Sequence, residues 1–160
     1  MGRRLREEIL QKRDFASLEE EVFLALQRTA RTVLDPWAAF LKREARFTPS
    51  QYNLLRILRG AFPAGRTCGE IAERLVTRDP DVTRIVDRLE KRELVRRERD
   101  TEDRRVVRVF LTEAGQRSLS LLDADAERMP RALLGPLGAK RLKALRVLLD
   151  AVRDETGTFP

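Results

Sequence analysis

Histidine is absent from this 160-residue sequence, and cysteine occurs once, at Cys68. A single cysteine forms no intramolecular disulfide. Without histidine the commonest metal ligand and general base are missing, which disfavours most hydrolytic and zinc chemistry. No apolar run approaches the roughly 20 residues that cross a bilayer, so no membrane span is expected. The opening stretch, MGRRLREEILQKRDF, carries charges where an export signal would have an uninterrupted apolar segment, and a cytoplasmic location is the expectation. Low-complexity tracts, Gly/Ser linkers and solenoid-period repeats are also missing. The carboxylates and hydroxyls offer no acid–base pair or activated nucleophile at a defensible spacing. No catalytic site, cofactor or metal is expected.

What is present reads as a soluble globular chain, 42% hydrophobic and 37% charged. Its length suits one domain, or one domain with helical arms that pair with a second copy. The net charge of +7 suits a polyanionic partner, although an arginine-rich composition alone would produce it. Arginine greatly outnumbers lysine, which favours bidentate and groove-inserted contacts over point-charge contacts.

Helix dominates the pattern. A short basic helix is expected over Arg3 to Lys12, and Ser17-Leu18-Glu19-Glu20 has the order of a capping box opening a long helix. That helix carries Leu18, Val22, Leu26, Ala30, Val33 and Leu34 at helical spacing, and Asp35-Pro36 either caps a new segment or kinks the old one. Thr48-Pro49-Ser50-Gln51 starts a helix ending at Gly60, and Thr67-Cys68-Gly69-Glu70 starts another that stops near Val76. Asp79-Pro80 reads as the cap and first position of a third, with Val82, Ile85, Val86 and Leu89 inward. The period then changes. Leu94 to Arg99 and Val106 to Leu111 read as a two-stranded hairpin around Asp100, Thr101, Glu102 and Asp103. Thr112 opens a long helix through Leu119, Leu122 and Ala126, interrupted by Pro130 and Pro136 before a final run from Leu142 to Val152.

Helix, helix, tight turn, helix and hairpin, flanked by long amphipathic arms, is the layout of a winged helix-turn-helix. The fold expected is mainly α, with a two-stranded β-wing and long N- and C-terminal dimerisation helices. Residues 1–47 and 116–160 form the arms, and 48–115 the lobe. A helix fits the major groove of duplex DNA, and two-fold dimers read half-sites about one helical turn apart. The inward stripe leaves Asp81, Thr83, Arg84, Asp87, Arg88 and Lys91 outward. Arg84 and Arg88, one turn apart, are placed for guanine edges or phosphates, and Thr83 for a phosphate or a thymine methyl. The same face also reads as an ordinary solvated one in which Arg84, Asp87, Arg88 and Lys91 make intrahelical ion pairs. The hairpin shifts the balance, because Arg104 and Arg105 sit at a projecting tip, where an arginine can enter a narrow minor groove. Asp103 would repel DNA, so its expected task is to aim a neighbouring arginine by bidentate hydrogen bonding.

The stretch EIAERLVTRDPDVTRIVDRLEKRELVRRERDTEDRRVVRVFLTEAG resembles the MarR family of bacterial transcriptional regulators. The resemblance rests on Val82-Thr83-Arg84, Asp87 to Glu90, the Asp103-x-Arg105 wing, Leu111-Thr112-x-x-Gly115, and upstream Thr48 to Tyr52, covering roughly residues 48 to 120. It implies a homodimer interlocked through its terminal helices and bound to a pseudo-palindromic double-stranded operator. By the same resemblance, Thr83 and Arg84 are expected to contact DNA from the recognition helix, Arg105 to enter the minor groove oriented by Asp103, and Arg104 to lie against phosphate. The sequence departs from the pattern at Glu93, where family members usually have glycine; a left-handed backbone there costs a non-glycine residue roughly 1 kcal/mol. Asp79 and Asp81 put negative charge near the start of the recognition helix, which either lowers affinity or selects cytosine amino groups.

Two further features carry weaker expectations. Cys68 lies in a first helical turn, where the dipole favours thiolate and a redox role. Peroxide-sensing relatives carry their cysteine nearer the N-terminus, and a partly buried small residue is the reading preferred. Trp37, Phe40 and Tyr52 either pack in the core or line a pocket for a small aromatic or anionic effector, of the kind related regulators bind. The rival function is a winged-helix protein-interaction module docking an acidic partner, which the nearly matched charges between Arg78 and Arg108 permit.

Overall fold

Four helices begin where the capping signals place them. The structure, a computed structural model, describes residues 3–77, 81–100 and 102–155. A short helix α1 (Arg3–Glu8) precedes α2 (Leu18–Ala45), whose cap Ser17 accepts a hydrogen bond from the Glu20 N–H at 3.2 Å. Helix α3 (Pro49–Gly60) starts at a reciprocal box between Thr48 and Gln51, and α4 (Cys68–Arg74) at one between Thr67 and Glu70. Helix α5 (Val82–Glu90) comes next among the described helices, and α6 (Glu113–Ser120) is capped by Thr112. Each such cap satisfies amide donors that the first turn leaves orphaned and contributes about 1 kcal/mol. Strands β2 (Val95–Arg99) and β3 (Val107–Leu111) pair antiparallel, with Val95 opposite Leu111 and Arg99 opposite Val107.

The structure corrects several expectations. The wing belongs to a three-stranded sheet, because β1 (Arg66–Thr67) adds to the outer edge of β3, Arg66 opposite Val109. Two residues are too short to show a period of two, and the capping signal of α4 overlaps them. Helix α2 runs through Pro36 to Ala45 in one piece. Downstream, the chain breaks at Leu121–Leu122 and not at Pro130, which sits inside α7 (Asp123–Leu134). At that break Leu122 turns into the core while Leu121 stays 83% exposed. The Ser118 and Ser120 hydroxyls, bonded back to the carbonyls of Ala114 and Gln116, compete with the ladder just before it. Pro136 does interrupt, within the 3-10 turn Gly135–Leu137 ahead of α8 (Gly138–Glu155). The expected cap Asp79 lies outside the described residues; Asp81 caps α5 by accepting from the Arg84 N–H at 3.0 Å.

One core joins the lobe. Leu41 and Phe47 meet Leu54, Leu55 and Leu58 of α3, Ile71 of α4, Val86 and Leu89 of α5, Val95 and Val109 of the sheet and Leu119 of α6. Burying each such side chain contributes about 1.5–3 kcal/mol. Gly115 lets α6 approach the wing base: a Cβ there would lie 2.2 Å from the Leu94 carbonyl oxygen. Among the described residues, no helix is long and apolar enough to cross a membrane.

Candidate nucleic-acid interface

Helix α5 buries Val82, Ile85, Val86 and Leu89 and exposes Thr83, Arg84, Arg88 and Lys91. Arg84 is 72% exposed and lies 3.4 Å from Asp81, so one of the two early aspartates is occupied as cap and ion-pair partner. The helix closes in a Schellman turn: the Leu94 N–H reaches the Leu89 carbonyl at 3.0 Å and the Glu93 N–H reaches Glu90 at 2.8 Å. That turn requires a left-handed residue, and Glu93 supplies it with φ of 57° although it is not glycine. Thr112 holds the turn from the other side, its hydroxyl donating to the Glu93 carbonyl at 2.7 Å and its N–H to Leu94 at 3.1 Å. The Leu-Thr-x-x-Gly spacing is thus a clamp on the exit of α5: Thr112 grips the turn and Gly115 makes room for it.

The solvated-face reading expected Asp87 to pair within the helix. Asp87 pairs instead with Arg97 of β2, and so does Glu90, each at 2.6 Å from a terminal guanidinium nitrogen. Arg97 also donates from its main-chain N–H to Glu90 at 2.9 Å and from its side chain to the Thr83 carbonyl at 3.3 Å. One arginine therefore locks helix to wing and cancels two carboxylates beside the exposed arginines. Sequence reasoning passed over Arg97 because it sits among several arginines, and only the hairpin register turns it toward α5.

Asp100 organises the wing loop. Its carboxylate accepts the N–H groups of Glu102 and Asp103 at 2.9 and 3.4 Å and pairs with Arg108 of β3, which lies 3.7 Å from Glu70 of α4. The Arg108 hydrogen bond, followed by those two amides, holds the Asp100 carboxyl below its usual range. Asp103 departs from expectation. Its carboxylate accepts the main-chain N–H of Arg105 at 2.9 Å and does not grip a guanidinium. An aspartate two residues before an amide in a tight turn folds back on it. The tip is thereby fixed through its backbone, while Arg104 and Arg105 stand exposed. Among the described residues, no ion pair engages the side chains of Arg88, Arg104 or Arg105.

The aromatic residues form a cluster. Trp37 stacks on Phe40 with centroids 5.5 Å apart and meets Tyr52 edge-on at 5.1 Å; Phe40 and Tyr52 are buried and Trp37 half-buried. A cavity of about 300 Å³ opens beside it, lined by Tyr52, Arg56, Arg59, Asp123, Ala126 and Glu127. Tyr52 alone of the three expected residues borders it; Trp37 and Phe40 do not. Arg59 is tied to Asp123 at 2.9 Å, whereas Arg56 is exposed over the Tyr52 ring. Cys68, half-buried, packs against the core from the first turn of α4.

Comparison with known proteins matches this geometry. The MarR family's sequence profile fits residues 47–107, from just beyond α2 to the start of β3. A MarR transcription factor from Planctomyces limnophilus is 38% identical, the similarity covering 86% of this chain and 98% of that one, with a TM-score of 0.63. The chain belongs to the MarR family. Another MarR-family similarity is to the transcriptional repressor MdtR of Bacillus subtilis, 31% identical over 100 residues, covering 61% of each chain. The chain spans between 58% and 67% of the length of the curated relatives it matches. The MarR fold is shared with a Staphylococcus aureus MepR–DNA complex, TM-score 0.73 over 82% of this chain and 96% of that one, at 21% identity.

Proposed function

We propose that this MarR-family regulator acts as a homodimer on a pseudo-palindromic operator. Helix α5 enters the major groove through Thr83, Arg84 and Arg88, and the wing tip carries Arg105 into the minor groove with Arg104 on phosphate. The observation that carries this reading is the pairing of exposed α5 cations with a backbone-braced arginine tip, while Arg97 neutralises the intervening carboxylates. The apolar faces left open on the arms support the dimer. Leu18, Phe23 and Leu34 of α2 are more than half exposed, and α8 has no buried residue along its 18. An amphipathic helix with nothing against its apolar face is marginal in water, and a second copy supplies the missing surface. Such a dimer represses a neighbouring promoter by occlusion, in the cytoplasm where the operator lies.

A small aromatic anion bound between Tyr52 and Arg56 would release the operator if it favours the conformation with lobes spread, and the operator would weaken its binding by the same factor. The test is selection of genomic fragments by the purified protein, repeated with Arg84→Ala and Arg105→Ala. Recovery of a pseudo-palindrome, weakened by both changes, supports the regulator. An intact dimer that enriches no fragment overturns it and favours the module that docks an acidic protein.

A further inference from the structure

Arg92 leaves the recognition helix and reaches the end of the long arm. Its two terminal nitrogens donate to the carbonyls of Arg46 and Ala45 at 3.0 and 2.9 Å, and its guanidinium lies 4.8 Å from the centre of the Phe47 ring. Both acceptors belong to the C-terminus of α2, where the last carbonyls lack partners in the helix and the dipole presents partial negative charge. The planar fork of arginine satisfies two such carbonyls at once, which lysine cannot do. Arg46 is left-handed, with φ of 54°, which turns the chain so that Phe47 enters the core beneath the guanidinium. Arg92 itself is the residue before the left-handed Glu93 of the Schellman turn. Two helix ends far apart in sequence are thus joined by one side chain. One end belongs to the recognition helix, the other to the helix whose far half carries the open apolar face.

We propose that Arg92 is a positioning residue for operator recognition, a strut that fixes the angle between α5 and α2 and so the distance between the recognition helices of a dimer. This rests on the regulator reading above. The lever is long: the 28 residues of α2 span about 42 Å at about 1.5 Å per residue. Slack of about 5° at its end displaces the lobe by roughly 3.7 Å, close to one base-pair step. Loss of the strut therefore acts on spacing tolerance more than on any single base contact.

The test measures affinity for a series of duplexes carrying the selected half-sites with the centre lengthened or shortened by one base pair, using the full-length wild type, Arg92→Met and Arg92→Lys. Dimer mass and thermal midpoint are recorded alongside. The wild type is expected to lose about tenfold or more at either altered spacing, Arg92→Met less than about threefold, and Arg92→Lys an intermediate amount. A residue that only stabilises the fold would shift the midpoint and leave the shape of the spacing profile unchanged. An Arg92→Met profile parallel to wild type overturns the proposal and leaves the regulator reading standing. A wild type that binds no duplex at any spacing overturns both.

Discussion

Replacing Arg97 by methionine tests the lock between recognition helix and wing. The substitution keeps a stem of similar length and removes the guanidinium that holds Asp87 and Glu90 at 2.6 Å. Shielded hydrogen bonds to charged groups contribute about 1.5–3 kcal/mol each, and exposed ion pairs about 0.2–1 kcal/mol. With Asp87 and Glu90 47% and 37% exposed, solvent screening places the pair together at about 1–2 kcal/mol. For a chain of this size that lowers the thermal midpoint by roughly 2–8 °C. DNA binding suffers separately. If a bound duplex placed its phosphates at about 8 Å from the two uncompensated carboxylates, repulsion in a water-like medium would cost about 0.5 kcal/mol each, together a roughly fivefold loss of affinity. Thermal melting and fluorescence anisotropy on an operator duplex read the two effects apart. Adding Asp87→Asn and Glu90→Gln to Arg97→Met should recover most of the affinity and little of the midpoint. An Arg97→Met protein with unchanged affinity and a midpoint within about 1 °C of wild type would refute the lock.

Other substitutions probe the local geometry. Glu93→Gly relieves a left-handed non-glycine and should raise stability by about 0.5–1 kcal/mol with the Schellman turn intact, read as a higher denaturant midpoint. Gly115→Ala forces a methyl against the Leu94 carbonyl and should destabilise by about 1–3 kcal/mol in the same assay. The lowered Asp100 carboxyl stabilises the wing loop above the ordinary aspartate value of about 3.9, and that contribution is lost as pH falls through the depressed folded value. The Asp100 carboxyl carbon, followed by NMR, should titrate with a midpoint below the ordinary aspartate value of about 3.9, whereas a midpoint at or above that value would show that Arg108 and the two amides do not hold it.

Much of this architecture was legible because its signals are local. Ser17, Thr48, Thr67 and Thr112 each announce a helix within four residues, and the inward stripe of α5 fixes which of its side chains face out. The missing glycine at Glu93 pointed to a cost or a local change of turn, and the chain keeps the left-handed turn with glutamate in it. What escaped depends on distance. The β1 pairing, the Arg97 lock and the Arg108 bridge from Asp100 toward Glu70 each join segments that only the folded sheet brings together. Asp79 and Asp81 both carry a capping side chain near the start of α5, and local propensity does not rank them. Asp103 was assigned the right neighbour and the wrong group, because a carboxylate two residues from an amide reaches the backbone before it reaches a guanidinium. The break at Leu121–Leu122 follows from which leucine the core admits, which the proline positions do not report.

The most direct test of the account is the salt dependence of operator affinity for wild type and for Arg84→Ala, Arg88→Ala, Arg104→Ala and Arg105→Ala. Each phosphate neutralised by a cationic side chain steepens the slope of log affinity against log salt by about 0.9. The account predicts a steep negative slope for the wild type, shallower by about one unit in Arg104→Ala, and weaker binding in all four variants with the thermal midpoint unchanged. A flat slope, or four variants that bind as the wild type does, would contradict it.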